Sequence, residues 1–326
     1  MAFCVYPADF YETSKDICLI TCYFNPSHYK SKYINYLKFR EKIQYAGLKL
    51  LTVECVFGDS NFNLPASSDV LQIRSTSVMW QKERLLNLAI QSLPVEVKKV
   101  AWLDCDILFS NPRWAIETSK LLDEFPVVQP FMRVFRLPRG HEFYNGEAES
   151  WRSFGYVVNL SPDLIKKGNF HQHGHTGLAW AARREILEKH SLYDSLISGS
   201  ADHMMAHAMC GDFASSCIKR IMSNNNKLLS HFLQWGKGFY EEINGKIGYT
   251  QGTVIHLWHG ETENRKYITR HDELMKYDFD PGKDIRIGDS GTWEWSSNKP
   301  ELHQWAINYF GHRKEDGEAE YCEDAG

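Results

Sequence analysis

The sequence predicts an α/β fold, with a mostly parallel central sheet that is covered by helices on both faces. Two observations support this. Apolar runs alternate with segments of helical spacing along the first half of the chain, which is typical of βαβ units. The runs are also continuously apolar, as expected for strands buried on both sides. With 326 residues and 43% hydrophobic content, the chain is long enough to enclose a large core.

Each element of the first half has its own signal. The run ICLITCYF (17–24) is broken by Asn25-Pro26-Ser27, and Gly47 stands where a helix C-cap is expected after the segment 33–46. The predicted strands are 17–24, 49–57, 69–73 and 98–104. The predicted helices between them are 33–46 and Met79 to Gln91.

The second half is less regular. Residues 132–176 are predicted to form a long loop region or a small inserted hairpin, and long loops in compact domains are often functional. Further strands are predicted at 176–182 and 253–258, with helices at 183–190, from near Ser200 through Met209, and at 300–311. The acidic residues 314–326 are predicted to be a flexible, solvent-exposed tail.

Composition excludes several classes of protein. A formal net charge of −4 differs from the strongly basic balance of nucleic-acid-binding domains, so a nucleic-acid acceptor is not indicated by net charge. The sequence shows no signal peptide and no apolar stretch long enough to span a membrane. The eight cysteines are scattered without a CxxC pair, so we expect free thiols and a cytoplasmic location.

The chemical centre of the sequence is Asp104-Cys105-Asp106, which follows the apolar run 98–104. Two acids separated by one residue, where a buried strand leaves the sheet, bring two carboxylates close together. Open α/β sheets bind ligands at the carboxyl ends of their strands. A hard divalent cation takes oxygen ligands and would bridge these carboxylates to a diphosphate. The position of this DxD sequence therefore indicates a metal site.

The order of these motifs resembles that of GT-A glycosyltransferases over about residues 17–270. The matching segments are LITCYFN (19–25), AWLDCDILF (101–109), HTGLAWAARREIL (175–187), GSADHMM (199–205) and VIHLWHG (254–260). The resemblance implies a Rossmann-like GT-A catalytic domain over residues 1–313. It also implies a hexosyltransferase-like enzyme that uses Mn²⁺ or Mg²⁺ and a nucleotide-sugar donor, with a UDP-sugar as the expected one.

The resemblance assigns roles to individual residues. The metal ligands are expected to be Asp104, Asp106 and His256, with His259 as the next choice. Because the spacing His-x-x-His at a strand end does not place both rings on one face, we expect one of the two histidines to bind. Binding of the nucleotide-sugar is assigned to Thr21, Tyr23, Lys82 and Asp104.

Asp202 is the catalytic candidate. An inverting transferase needs a general base that removes the proton of the attacking hydroxyl, and Asp202 follows Gly199-Ser200 at the start of a predicted helix. The same residue fits a helix N-cap, and in a retaining enzyme it would hold the donor sugar. The sequence favours inversion without deciding between the two outcomes.

A basic segment follows the late histidines. Arg265 and Lys266 are predicted to bind the donor diphosphate, with Arg270 as a weaker candidate. The loops of 132–175 are expected to face the acceptor, which we leave open among glycans, proteins, metabolites and modified nucleobases. Arg133, Arg136 and Arg139 in this region would suit an anionic acceptor.

Two other functions remain as alternatives. Nucleotidyltransferases of similar fold also use paired acids, although they usually carry a glycine-rich loop where this chain has Asn25-Pro26-Ser27-His28. A zinc hydrolase is the second alternative, because histidines cluster in two places. His171, His173 and His175 alternate, and His203 and His207 share the face of a predicted helix.

Overall fold

The computed structural model describes residues 16–144, 146, 148–267 and 269–317. The strands, in chain order, are β1 (Ile17–Phe24), β2 (Leu50–Phe57), β3 (Val70–Ser75), β4 (Lys99–Leu103), β5 (Ile107–Phe109), β6 (Val127–Gln129), β7 (Arg133–Arg136), β8 (Glu149–Arg152), β9 (Ala179–Arg183), β10 (Ile247–Tyr249), β11 (Thr253–His256), β12 (Ile285–Ile287) and β13 (Trp293–Trp295).

The helices are distributed along the whole chain. They are α1 (Lys30–Tyr45), α2 (Lys82–Ser92), α3 (Trp114–Glu124), α4 (Phe154–Leu160), α5 (Phe170–His173), α6 (Arg184–His190), α7 (Ala201–Met209), α8 (Ser216–Met222), α9 (Asn226–Ile243), α10 (Thr269–Met275), α11 (Pro281–Asp284) and α12 (Pro300–His312). Short 3₁₀ helices lie at Pro162–Lys167 and Glu263–Arg265.

A seven-stranded sheet forms the centre of the protein, in the order β10-β6-β9-β4-β1-β2-β3. Within this sheet, β9 is the only described strand that runs antiparallel to its neighbours, which are β4 and β6. The pairs that β1 makes with β2 and β4 are parallel, as are the pairs β2–β3 and β6–β10. The predicted α/β fold with a mostly parallel sheet is therefore confirmed.

The two faces of β1 contribute to two different cores, because successive side chains of a strand point to opposite sides. Ile20 and Phe24 pack in a core that includes residues of α2, α7 and α9. Leu19 and Tyr23 pack in a second core with residues of α1 and α3. Apolar packing on both sides explains why this strand reads as an uninterrupted hydrophobic run.

A second, four-stranded sheet in the order β5-β11-β7-β8 lies beside the first. Two of its strands, β7 and β8, come from the region 132–176, which the sequence predicted to be a loop or a hairpin. Strand β5 begins directly after the DxD sequence and pairs antiparallel with β11. Through this pairing the second sheet carries a late part of the chain to the DxD sequence.

The exposed tail predicted from residue 314 is wrong for its first residues. Glu315 is 1% exposed and forms an ion pair of 2.5 Å with Arg313. The carboxylate of Asp316 accepts hydrogen bonds from the backbone amides of Lys30 and Ser31, at the first turn of α1. Such an acid satisfies amides that the helix itself leaves unpaired. Residues 318–326 lie outside the described residues.

No described helix combines the length and the apolar composition needed to cross a bilayer. The six cysteines within the described residues are all free thiols, as expected.

Candidate active site

A cleft with a volume of about 860 Å³ opens at the carboxyl ends of β1 and β4. It is lined by the DxD turn, by the ends of both sheets and by the segment that follows α12. Its size is that of a typical ligand site. The place agrees with the rule that open α/β sheets bind ligands outside the carboxyl ends of their strands.

Asp104 lies on the cleft next to a half-buried cation. Its backbone amide donates a hydrogen bond of 2.7 Å to the carbonyl of Leu178, which fixes the start of the turn. Its Oδ1 lies 2.5 Å from Nζ of Lys82, the first residue of α2. Burial raises the pKa of Asp104, and the attraction of Lys82 offsets part of that rise. The two predicted nucleotide-binding residues are thus an ion pair at the cleft.

Asp106 is brought to two histidines by the second sheet. In the β5–β11 register, His256 is opposite Ile107, the residue that follows Asp106. Nε2 of His259 lies 3.0 Å from Oδ2 of Asp106, and Nε2 of His256 lies 3.7 Å from Oδ1. The two Nε2 atoms are 3.0 Å apart. The premise that the two rings cannot lie on one side is wrong, because both Nε2 atoms approach the Asp106 carboxylate. Whether one or both bind a metal stays a prediction.

These three residues suit a divalent cation. One carboxylate oxygen and two imidazole nitrogens lie within 4.8 Å of one another. Oδ1 of Asp106 is buried without a hydrogen-bond partner, which would be costly unless another group binds there. Burial lowers the pKa of His256 to about 3, so this ring is a neutral donor. For Asp106, burial acts to raise the pKa, but His259 and His256 lower it well below its ordinary value.

A tight backbone contact holds the second histidine in place. Gly260 has φ +88, and a Cβ there would lie 2.9 Å from the Cα atom of Glu315. Nδ1 of His259 lies 3.7 Å from Oε1 of Glu315. Only glycine allows this conformation and this approach together, so the segment after α12 packs directly behind the proposed metal ligands.

Two arginines are buried at the cleft without a carboxylate partner among the described residues. Arg265 is 6% exposed; its guanidinium lies 2.7 Å from Nε2 of His259 and donates to the hydroxyl of Tyr267 at 3.0 Å. Arg270 is 3% exposed and donates to Tyr309 at 2.8 Å and to Ser200. Buried charges are normally paired, so these two indicate an anion site.

The pKa of Tyr267 indicates a positive electrostatic potential around the buried arginines. Its side chain is 37% exposed, so the burial that acts to raise the pKa of the phenol is only partial, and Arg265, Arg136 and Arg270 together lower that pKa to about 7. A phenol that ionises so easily lies where negative charge is favoured.

Lys266 does not belong to this group. Its ammonium lies 3.2 Å from Glu273, and it lines a separate surface pocket beside α12. Lys266 is thus not among the residues that line the cleft, and its predicted role in diphosphate binding stays a prediction that its position does not support. Arg270, the weaker candidate, occupies the cleft instead.

Thr21 and Tyr23 are also absent from the cleft. Thr21 is fully buried and donates its hydroxyl proton to the carbonyl of Leu103 at 2.7 Å. Tyr23 is 1% exposed and packs in the core on the far face of the sheet. Their neighbours Cys22 and Phe24 line the cleft. The strand was predicted correctly, but the side chains that face the cleft are those of the alternate residues, because successive side chains of a strand point to opposite faces.

Asp202 lies on the cleft in the first turn of α7. The two residues before α7, Gly199 and Ser200, both have left-handed backbone conformations, with φ of +77 and +75. A Cβ at Gly177 would lie 2.3 Å from Oδ2 of Asp202, so this carboxylate rests against bare backbone. Burial acts to raise the pKa of Asp202, but Lys82 and other neighbours lower it below its ordinary value. Asp202 is therefore ionised at neutral pH.

The region 132–175 forms one side of the cleft. Arg136, Arg139, Trp151 and His171 line it, whereas Arg133 is exposed elsewhere. The guanidinium of Arg136 lies 5.1 Å above the ring of Trp151, which holds an aromatic face at the cleft.

No family model and no curated protein matches the sequence. The chain is similar to the catalytic domain of Drosophila β1,4-galactosyltransferase 7 bound to xylobiose, at 10% identity and a TM-score of 0.35, with 89% of this chain and 98% of that chain covered. For M. tuberculosis glucosyl-3-phosphoglycerate synthase the values are 11%, 0.36, 89% and 90%. For the 4-diphosphocytidyl-2C-methyl-D-erythritol synthase of Anaerococcus prevotii they are 8%, 0.32, 80% and 96%.

Glycosyltransferases, the class that the sequence resembles, are thus among the similar solved structures. All three TM-scores are below 0.5, so these similarities do not indicate which reaction the protein catalyses. A proposal for the function has to rest on the residues of the cleft.

Several cleft residues had no signal in the sequence. Arg313 lines the cleft although it directly precedes the stretch 314–326, whose acidic, polar composition is typical of a frayed end. Trp80 had no assigned role, yet its ring lines the cleft and stacks on Phe310 at 6.3 Å. Only the packing of distant segments brings these side chains to the DxD turn.

Proposed function

We propose that the protein is a metal-dependent glycosyltransferase, which moves a sugar from a nucleoside diphosphate donor to a hydroxyl acceptor. One cleft contains both Asp106, His256 and His259 and two buried arginines, Arg265 and Arg270. Neither arginine has a carboxylate partner among the described residues, and this combination carries the proposal. The first set suits a divalent cation, and the second set suits the diphosphate that the cation would bind.

Asp106, His256 and His259 would hold the cation. When bound, it offsets the charge of the departing nucleoside diphosphate. Imidazole nitrogen suits a transition metal better than Mg²⁺, which prefers oxygen ligands. We therefore favour Mn²⁺ over Mg²⁺. Asp104, which the sequence assigned to the metal, would instead orient Lys82 and contact the ribose of the donor.

Arg265 and Arg270 would bind the diphosphate. The guanidinium presents its N–H donors in a planar fork that fits phosphate oxygens. Neither side chain has to leave a carboxylate partner among the described residues first, since their present side-chain partners are a histidine, tyrosines and a serine. The donor base and ribose would lie near Phe24, Trp80 and Asp104, and a UDP-sugar remains our expected donor.

Asp202 would act as the general base of an inverting transfer. Its carboxylate is ionised at neutral pH and lies in the same cleft as the proposed metal ligands. It would accept the proton of the acceptor hydroxyl as that oxygen attacks the sugar. The acceptor would lie against Trp151 and Arg136, where an aromatic face and a cation suit a polar or anionic hydroxyl compound.

Thermal unfolding with nucleoside diphosphates tests this proposal. The panel is UDP, GDP, CDP and ADP, each with and without Mn²⁺. A ligand that binds only the folded state raises the melting temperature. We expect one diphosphate to do so only with Mn²⁺, and the corresponding nucleotide-sugar to be hydrolysed slowly.

Asp106→Asn supplies the matched control, because it should remove the effect of Mn²⁺ on nucleotide binding. The proposal is wrong if no diphosphate stabilises the protein in the presence of metal. Turnover of a nucleoside triphosphate, with release of pyrophosphate, would instead indicate a nucleotidyltransferase.

A further inference from the structure

A second group of metal-ligating side chains shares no residue with the Asp106 site, although three of its members line the same cleft. His173, His203, His207 and Cys217 are all buried, with one potential ligand atom each within 4.8 Å of the others. They come from α5, α7 and α8, three elements that are separate in the sequence. The sequence indicated the shared face of His203 and His207, but it gave no reason to add Cys217.

Each histidine of this cluster is oriented by a contact at Nδ1. Nδ1 of His207 lies 2.7 Å from the carboxylate of Asp212, and Nδ1 of His173 lies 2.8 Å from the carbonyl of Gly174. Nδ1 of His203 lies 3.4 Å from the hydroxyl of Thr176. With Nδ1 occupied in this way, Nε2 is the nitrogen available to the cluster. Metal-ligating histidines are typically held by such partners.

The spacing within the cluster fits a tetrahedral ion. Nε2 of His207 lies 3.6 Å from Sγ of Cys217. Zinc bonds of about 2.0–2.1 Å to nitrogen and about 2.3 Å to sulfur, at a tetrahedral angle, place these two atoms about 3.6 Å apart. No movement of this pair is needed to admit the ion.

The charges of the cluster also fit. A cysteine that binds zinc does so as the thiolate, and a histidine that binds zinc does so as the neutral imidazole. With zinc bound, the Cys217 thiolate and the carboxylate of Asp212, the partner of His207, would together carry two negative charges, which one divalent cation neutralises. A buried cluster of polar side chains is stable only when each side chain has a hydrogen-bond partner or binds a ligand.

We propose that His173, His203, His207 and Cys217 bind one structural zinc ion. Thiolate and imidazole are ligands that zinc prefers. Four protein ligands complete a tetrahedral shell and leave no position for a reactive water, so this site has no hydrolytic role. It is a different site from that of Asp106, and it does not depend on the proposed transferase activity.

The ion would fix one wall of the cleft. It would join α5 to α7 and α8, and its ligand His203 is the residue after Asp202. Metal ligation at His203 and His207 would hold the first turns of α7 in place. The ion would therefore position the Asp202 carboxylate.

The test is the zinc content of the purified, dialysed full-length protein, measured by inductively coupled plasma mass spectrometry. We expect about one zinc per chain. The double variant Asp106→Asn/His259→Ala should keep this zinc, because it alters only the other site. Cys217→Ser should lose it. Two control variants should retain it: Cys210→Ser, at a half-buried cysteine that ends α7, and His171→Ala, at an exposed residue of α5.

Two further measurements apply if Cys217→Ser fails to fold. Asp212→Asn removes only a partner of a ligand and should weaken zinc binding by about 10–100-fold. Cobalt substituted into the wild-type protein should show a thiolate-to-metal absorption band. The proposal is overturned if the wild type holds no zinc, if Cys217→Ser retains it, or if the cobalt form lacks the thiolate band.

Discussion

The ammonium of Lys82 lies 2.5 Å from a carboxylate oxygen of Asp104, whereas Asp106, two residues on, faces two imidazoles. The two acids of the DxD sequence therefore lie in different surroundings. One is part of an ion pair at the start of α2, and the other belongs to a set of metal-binding donors.

Replacing Lys82 should change the pH dependence of the reaction. Lys82 lowers the pKa of Asp202, so in Lys82→Met that pKa rises and the carboxylate is protonated at higher pH. The acidic limb of the kcat/KM profile should move to higher pH, and Lys82→Arg should restore it in part. Lys38→Met, which breaks an exposed pair with Glu142, should leave the profile unchanged. An unmoved limb in Lys82→Met would exclude this coupling.

Replacing Asp106 should abolish metal-dependent turnover. Asp106→Asn removes the one carboxylate of the proposed metal set and should lower turnover with Mn²⁺ by at least about 100-fold. The far-ultraviolet circular dichroism should not change. Asp59→Asn, at an exposed turn, is the matched control. Turnover that stays within a factor of two of the wild type would contradict the metal assignment.

Asp202→Asn separates chemistry from donor binding. Loss of a general base typically costs about 10²–10⁴-fold in rate, so we expect transfer to fall by that factor while the diphosphate still raises the melting temperature with Mn²⁺. Asp289→Asn, on an exposed turn, should retain full activity. Loss of donor binding in Asp202→Asn would instead point to a residue that holds the donor sugar.

The contact between Gly177 and Asp202 predicts a steric effect. In Gly177→Ala the new methyl group would overlap the carboxylate of Asp202 and displace it. A displacement of about 1 Å can cost about 100-fold in rate, which single-turnover kinetics would reveal. Gly311→Ala, on an open face of α12, should leave the rate unchanged. An unaffected rate in Gly177→Ala would mean that the position of Asp202 is not critical.

Glu315 should contribute to stability in a pH-dependent way. Breaking a buried ion pair costs about 3 kcal/mol, so Glu315→Gln should lower the free energy of unfolding by about this amount at neutral pH. The folded-state pKa of Glu315 lies well below its ordinary value. Its contribution is therefore complete above the unfolded pKa of about 4.3 and is lost as the pH falls through the folded pKa.

Urea denaturation at several pH values checks this expectation. The difference between wild type and Glu315→Gln should be constant above about pH 5.5 and shrink in acid. Glu142→Gln, whose carboxylate is exposed, should behave like the wild type at every pH. A difference that grows in acid would contradict the assignment of the stability to this ion pair.

The regular first half of the chain was readable because each strand is buried on both faces. The limits of β1, 17–24, were predicted as observed. Helix α9 was missed, although its 18 residues carry a clear apolar face. Helix α3 was missed as well. The sheet direction of β9 also could not be read, because an apolar strand has the same pattern whether it runs parallel or antiparallel to its neighbours.

The candidate site was predictable only where local position determines it. Asp104 and Asp106 were found because they follow a buried strand. The convergence of His256 and His259 on Asp106 depends on the β5–β11 register, which no local pattern encodes. Glu315 and Cys217 reach their sites through tertiary packing alone, so their surroundings in the sequence resemble an ordinary surface segment and an ordinary core helix.

The pairing of Ile107 with His256 has a consequence for the kinetics of folding. Residues far apart in the chain must close a long loop before this contact can form, and such non-local pairings are slow. The Asp106 site therefore cannot exist in any partly folded state that lacks β11. The rate of Mn²⁺ binding during refolding would therefore measure how fast β11 pairs with β5 beside the DxD turn.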